Sequence, residues 1–377
     1  MDKIEKYIDG LLERSTPDRP AWNIEKILQG LKSNWNYIDG CMIKAVLEMY
    51  AITKDEKYFA FADAFIDAKV REDGTIDGYS VEELNIDNVN AGKTLFELYD
   101  LTGKEKYRKA IDLVYSQIEQ MPRTKEGSFW HKNIYPNQVW LDGLYMCQPF
   151  YMEYETRFHE KQNYDDIFRQ FFTVQEHMRD PKTGLYYHAW DSSRQMFWCD
   201  RVTGLSQNFW LRALGWFSMA LLDTLDKADP SVGEPYARMK GMFLDLMDAL
   251  LKYQDESGMW YQVVNFGGME KNYLETSGSS ILAYALLKGV RLGFLPESYQ
   301  EYGVRAFHGV REKYLSEDEE GHLHLGGICL VAGLGGKGNR PGTYDYYMSE
   351  PVVKDDAKGV GPFLLAYTEM RRAGMSL

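Results

Sequence analysis

Tyr50-Ala51-Ile52-Thr53-Lys54-Asp55-Glu56-Lys57-Tyr58 returns, slightly altered, as Tyr99-Asp100-Leu101-Thr102-Gly103-Lys104-Glu105-Lys106-Tyr107. Each copy closes a stretch whose apolar residues recur at i, i+3 and i+4, turns briefly, and opens another such stretch. This is a helical hairpin, and it repeats. The same spacing runs through Ala45–Tyr50, Tyr58–Phe65 and Ala91–Tyr99. Alternating runs are few; short β segments are expected only within 184–190, 258–264 and 322–325.

Glycine marks six helix starts: Asp39-Gly40, Ala91-Gly92, Asp142-Gly143, Leu214-Gly215, Ser277-Gly278 and Gly359-Val360-Gly361. Their separations are 52, 51, 72, 63 and 83 residues. Two helices and their loops need about fifty residues, and the longer gaps leave room for the β segments. Hairpins that cannot bury their own faces must stack on neighbours. The chain therefore reads as all-α, an (α/α)6 toroid occupying 1–377 as one domain. The rival arrangement is an open helical solenoid that serves as a binding scaffold. Against it, Trp, Tyr and His crowd the loops at the same end of each repeat, which suits a pocket enclosed by a ring.

The net charge is −13, which argues against nucleic acid and anionic membrane as partners. Cys41, Cys147, Cys199 and Cys329 are dispersed, with neither zinc spacing nor a disulfide framework. The first ten residues show no signal-peptide pattern, and no apolar run approaches membrane-spanning length. A cytoplasmic protein with reduced thiols is expected. Aromatic residues are abundant, with 27 Tyr, 18 Phe and 9 Trp.

Before the first helix start stands Asn34-Trp35-Asn36-Tyr37, and before the second Asn85-Ile86-Asp87-Asn88. The third carries the densest group, Phe129-Trp130-His131-Lys132-Asn133-Ile134-Tyr135-Pro136, then Trp140-Leu141-Asp142-Gly143-Leu144-Tyr145-Met146. Tyr187-His188-Ala189-Trp190-Asp191 and Phe209-Trp210-Leu211-Arg212 follow, with Thr343-Tyr344-Asp345-Tyr346-Tyr347 before the last. Asp142 taken alone is better read as a helix N-cap than as a functional acid. In a closed ring, however, Asp142 and Asp87 lie on neighbouring inner helices, and two close carboxylates push their pKa values apart. Arg212, His131 and Lys132 can hold a substrate carboxylate, Arg212 as a bidentate fork. Trp140, Trp210 and Trp35 can stack on sugar faces. No phosphate loop, zinc-protease motif or nucleophile elbow is present.

Over roughly residues 30 to 370 these segments, with Glu275-Thr276-Ser277-Gly278-Ser279, resemble the unsaturated rhamnogalacturonyl hydrolases of glycoside hydrolase family 105. The block Trp140 to Met146 is the most specific part of the resemblance. The resemblance implies an (α/α)6 barrel and a cytoplasmic enzyme. Such an enzyme removes 4,5-unsaturated galacturonic acid from the non-reducing end of lyase-generated rhamnogalacturonan disaccharides. It implies that Asp142 protonates the double bond and then activates water. Asp87 would hold substrate or water and raise the pKa of Asp142. It places Asn36, Tyr37, His131, Lys132, Asn133, Tyr135, Trp140, His188, Trp210, Arg212 and Tyr344 around the sugar. It requires no metal and no other cofactor, and the partner is a small unsaturated disaccharide. The expected state is a monomer or weak homo-oligomer. The first loop departs from the family pattern, with Asn34, Asn36 and Ile38 where more His is expected. The rivals are an unsaturated glucuronyl hydrolase of the same fold, a sugar epimerase using His131 and His188 as bases, and a non-catalytic carbohydrate-binding toroid.

Overall fold

A ring of six helices organises the chain, whose computed structural model describes residues 2–376. In order they are α3 (Tyr37–Thr53), α5 (Lys93–Thr102), α7 (Leu141–Phe158), α9 (Leu211–Lys227), α11 (Thr276–Arg291) and α14 (Ala357–Arg372). A 3-10 turn, Ile86–Gly92, leads into α5. Each packs on the next, and α14 returns to α3, so the ring is closed. The inner helices are buried nearly all round, as α9 and α11 show.

The outer layer consists of α4 (Glu56–Asp67), α6 (Glu105–Gln120), α8 (Tyr164–Met178), α10 (Glu234–Leu251) and α12 (Gln300–Tyr314), each against the inner helix before it. The sixth hairpin is assembled from both ends of the chain. Its outer member is α1 (Lys3–Glu13), which stands beside α14. Glu5 accepts from the Tyr367 hydroxyl at 3.2 Å and pairs with Arg371 at 2.7 Å. Two short helices complete the set, α2 (Ile24–Gln29) and α13 (Tyr344–Ser349).

The six glycine marks all fall at the beginnings of inner helices, and the reason is crowding. A Cβ on Gly40 would lie 2.6 Å from the Ala91 Cα, and one on Gly361 would lie 3.0 Å from the Cys41 carbonyl oxygen. A Cβ on Gly278 would strike the Leu211 side chain. The ring closes tightly at that end only because these positions lack a side chain.

Connections from inner to outer helices are short, such as 54–55 and 103–104. Those from outer to inner are long: 68–85, 121–140, 179–210, 252–275 and 315–356. All long loops therefore gather over the N-terminal ends of the inner helices. They contain three small antiparallel pairs: β1 (Gln138–Trp140) with β2 (Ala189–Asp191), β3 (Leu315–Glu317) with β4 (Leu323–Leu325), and β5 (Ile328–Cys329) with β6 (Val352–Val353). Two of the three expected β segments form. The third, 258–264, makes only single bridges from Tyr261 to Leu274 and from Val263 to Trp210, because its neighbours follow it for one residue pair at a time. All four cysteines are free and buried. No helix of the described residues is long and apolar enough to cross a membrane.

Candidate active site

The inner-helix mouths are built in two ways. Four use a polar side chain as a cap. Asn36 accepts from the Asp39 amide, Asn85 from Asp87, Glu275 from Gly278 and Asp356 from Lys358. The other two, α7 and α9, begin directly after Trp140 and Trp210 with no side-chain cap. The cap reading of Asp142 is thus corrected. Asp142 is the second residue inside α7, and its carboxylate caps nothing. It is left at the positive end of a helix dipole, where a negative charge is favoured.

Its neighbours are set by the β1–β2 pair. Trp140 lies opposite Ala189, and the Leu141 amide donates to the His188 carbonyl at 3.1 Å. This fixes His188, fully buried, beside the mouth of α7. His188 Nε2 lies 3.3 Å from Asp142 Oδ2. The two atoms are buried and make no aligned hydrogen bond with each other or with any other described group. His188 Nδ1 is 2.7 Å from the Tyr347 hydroxyl. Burial holds the Tyr347 phenol well above its ordinary pKa, so it keeps its proton and donates it to Nδ1. In the neutral imidazole the remaining hydrogen is then on Nε2, on the side of Asp142. Unsatisfied buried polar atoms are uncommon, and here they converge at one carboxylate.

Asp87 reaches the same place through the 131–133 loop. The Ile86 amide donates to the His131 carbonyl at 3.2 Å, and the Asn133 amide to Leu84 at 3.0 Å. Pinned in this way, Lys132 Nζ lies 2.7 Å from Asp87 Oδ2, and His131 Nε2 lies 3.5 Å from Oδ1. Burial raises the Asp87 carboxyl, but the Lys132 ammonium beside it outweighs burial and holds the pKa below the ordinary value. Asp87 is therefore an anion. The His131 ring stacks on Trp140 with centroids 4.7 Å apart and planes 5° apart. Its Nδ1 fills the space above Gly143, where a Cβ would come within 2.9 Å. Burial pulls the His131 pKa down to about 4 against the attraction of Asp87 and Asp142. A neutral imidazole thus lies within the influence of both aspartates.

A cavity of about 350 Å³ opens beside this group, with Asn36, Tyr37, Asp87 and Lys132 in its wall. Not every candidate residue is free to bind within it. All of Asn36's polar atoms are engaged, its amide nitrogen donating to Ser33, Asn34 and Asp39. Tyr135 stacks on Trp140 at 5.3 Å and accepts from Arg340. Asn133 is exposed on the loop surface. Three expectations need correction. Trp35 and Trp210 are 2% and 1% exposed, and their indole N–H groups donate to Asn88 and Gln262, so both are packing residues, Trp35 at the edge of the cavity and Trp210 away from it. Arg212 is 1% exposed and donates to the Ser277 hydroxyl and to the Cys329 and Leu330 carbonyls. Its fork clamps β5 instead of pointing into the cavity. Tyr344 donates outward to the Glu270 carbonyl, and Tyr347, one turn further along α13, is the tyrosine that faces the site.

The chain's residues 12–373 match the model of Glycosyl Hydrolase Family 88. Among characterised relatives, the unsaturated rhamnogalacturonyl hydrolase YesR of Bacillus subtilis is 30% identical over 267 residues, 68% of this chain and 72% of that protein. The solved structure of a family 105 glycoside hydrolase from C. acetobutylicum superposes with a TM-score of 0.91 at 44% identity, covering 99% of this chain and all of that one. The unsaturated glucuronyl hydrolase of Bacillus sp. GL1, at 14% identity over 91% of this chain and 87% of that one, shares the fold with a TM-score of 0.67. The chain is a glycoside hydrolase. More narrowly, it belongs to the grouping of glycoside hydrolase families 88 and 105.

Proposed function

We propose that this enzyme hydrolyses unsaturated uronyl disaccharides, with rhamnogalacturonan fragments carrying 4,5-unsaturated galacturonic acid as substrate. The observation that carries the reading is Asp142, a carboxyl at a helix mouth that caps nothing, placed beside the buried His188 and within reach of the Asp87 cluster. Support for the rhamnogalacturonan class comes from the likeness to YesR.

The double bond between C4 and C5 is an enol ether conjugated to a carboxylate. Asp142 in its acid form donates a proton to C4. Positive charge develops at C5 and is shared by the ring oxygen. The resulting Asp142 carboxylate takes a proton from water as the water oxygen bonds to C5. The hemiketal opens to a ketone, the anomeric carbon is left as a hemiacetal, and this collapses to an aldehyde and releases the second sugar. Asp142 ends protonated, as it began, its own proton now on C4 and the new one taken from water. Two carboxylates acting directly on the anomeric bond, as in ordinary glycosidases, are not needed. Anionic Asp87 fixes Lys132 at the wall of the cavity, with His131 buried behind it. The His188 N–H stabilises the carboxylate form of Asp142 that appears after the first proton transfer.

The test is incubation with lyase-digested rhamnogalacturonan and, in parallel, with lyase-digested glycosaminoglycan, following the ultraviolet absorbance of the conjugated bond. Faster loss on the first is expected. Loss confined to the second would transfer the enzyme to the glucuronyl class, and no loss on either would end the proposal.

A further inference from the structure

The substrate of the proposed reaction is an anion, yet the cations first in line to hold it are occupied. Lys132 is tied to Asp87 at 2.7 Å. Arg212 is buried against carbonyls and is not part of the cavity wall. A buried guanidinium already engaged by three acceptors would have to give them up to take a carboxylate.

One further cation lines the same cavity. Lys26 belongs to α2, the short helix between Trp22 and the first inner helix, and shares the wall with Tyr37, Asp87 and Lys132. Among the described residues its ammonium has no carboxylate within 4 Å and no side-chain hydrogen bond. The acidic neighbour that would be expected to neutralise it is diverted. Glu25 accepts from Lys358 Nζ at 2.7 Å, and Lys358 is fully buried. Of the other two acids on that wall, Asp87 is paired with Lys132, and Glu83 accepts from the side-chain amides of Asn85 and Asn88 at 3.0 and 3.1 Å. The backbone of Lys26 is anchored, since Asn23 caps α2 by accepting from the Lys26 amide at 3.2 Å. Asn23 in turn donates to Ser33 at 3.2 Å, which anchors α2 to the loop before α3. A cavity-lining lysine whose ammonium is left unpaired, in a protein of net charge −13, is a place for an anionic group.

We infer that Lys26 is a substrate-binding residue that pairs with a carboxylate or other anionic group of the sugar. This rests on the proposed substrate being an unsaturated uronide. The group is either the carboxylate of the unsaturated ring or an acidic substituent on the leaving sugar; both present the same oxyanion chemistry, and the experiment separates them.

The variants are Lys26→Met and Lys26→Arg, with binding read by calorimetry in the Asp142→Asn background so that turnover does not intrude. The probes are galacturonate, galactose, and unsaturated disaccharides with a neutral or a sulfated second sugar. Expected is about a tenfold weaker Kd for galacturonate in Lys26→Met, recovery in Lys26→Arg, and no change for galactose. A tenfold loss on both disaccharides assigns the uronate carboxylate, and a loss on the sulfated one alone assigns the leaving sugar. In the active enzyme the same variant should raise KM with kcat held within about twofold. Unchanged Kd and KM for every anionic probe would overturn the assignment. Because galacturonate binding requires no reaction, absent turnover in the wild type would count against the hydrolase proposal and not against Lys26.

Discussion

His188 Nε2 lies 3.3 Å from Asp142 Oδ2 while its other nitrogen is bound at 2.7 Å by the Tyr347 hydroxyl. The tyrosine thereby decides which face of the imidazole meets the acid. Tyr347→Phe removes that hydrogen bond without emptying the space. One hydrogen bond contributes about 1 kcal/mol, which corresponds to roughly a fivefold to tenfold drop in kcat with KM little changed. Steady-state kinetics on the unsaturated disaccharide check this, and an unchanged kcat would remove Tyr347 from the account.

The His131 imidazole is neutral in the fold, its pKa brought to about 4 from 6.5 by burial. A depressed pKa means that the unfolded chain takes up the proton first as pH falls. The stability this contributes is complete above about pH 6.5 and is lost between there and pH 4, on the order of 3 kcal/mol. Urea denaturation at pH 7.5 and 5 should show the decline, with a shallower slope in His131→Gln.

His324 behaves oppositely. It bridges Asp355 at 2.5 Å and Asp318 at 3.0 Å, and Asp355 also accepts from the Tyr7 hydroxyl at 2.7 Å. Burial opposes its charge, but the two carboxylates outweigh burial and raise its pKa. A raised pKa gives stability that is complete below the unfolded value near 6.5 and is lost as pH climbs through the folded one. The bridge joins α1, the β3–β4 hairpin and the start of α14, where the two ends of the chain close the ring. His324→Gln should lower Tm at pH 6 and leave it nearly unchanged at pH 9.

Gly40→Ala tests the crowding at the ring. The new methyl would sit 2.6 Å from the Ala91 backbone, which cannot rotate away. Overpacking of this kind costs about 1–3 kcal/mol. Thermal melts should show a clear fall in Tm, whereas Gly241→Ala, with open space around it, should be tolerated.

The toroid was legible because its cause is local: six glycines recur where helices crowd, and the hairpin spacing follows from helix length. Closure by α1 was not legible, since the sixth outer helix lies at the far end of the chain from its partner. Asp87, His131, Lys132 and His188 lie close together because each stands just before a successive helix start. Trp210 and Arg212 looked equivalent to Trp140 and Asp142, because residue type does not reveal which way a helix mouth is turned. Tyr347 was indistinguishable from Tyr344 by composition, and only the rotation of α13 separates them. Lys26 gave no signal, because its meaning lies in carboxylates that are paired elsewhere.

Replacing Asp142 by Asn bears most directly on the central claim. Loss of the double bond's absorbance and calorimetric binding of the same disaccharide are measured together. Removal of a general acid predicts a fall of roughly 10²- to 10⁴-fold in turnover with Kd altered only a few-fold. Turnover within about twofold of the wild type would contradict the claim that this carboxyl delivers the proton.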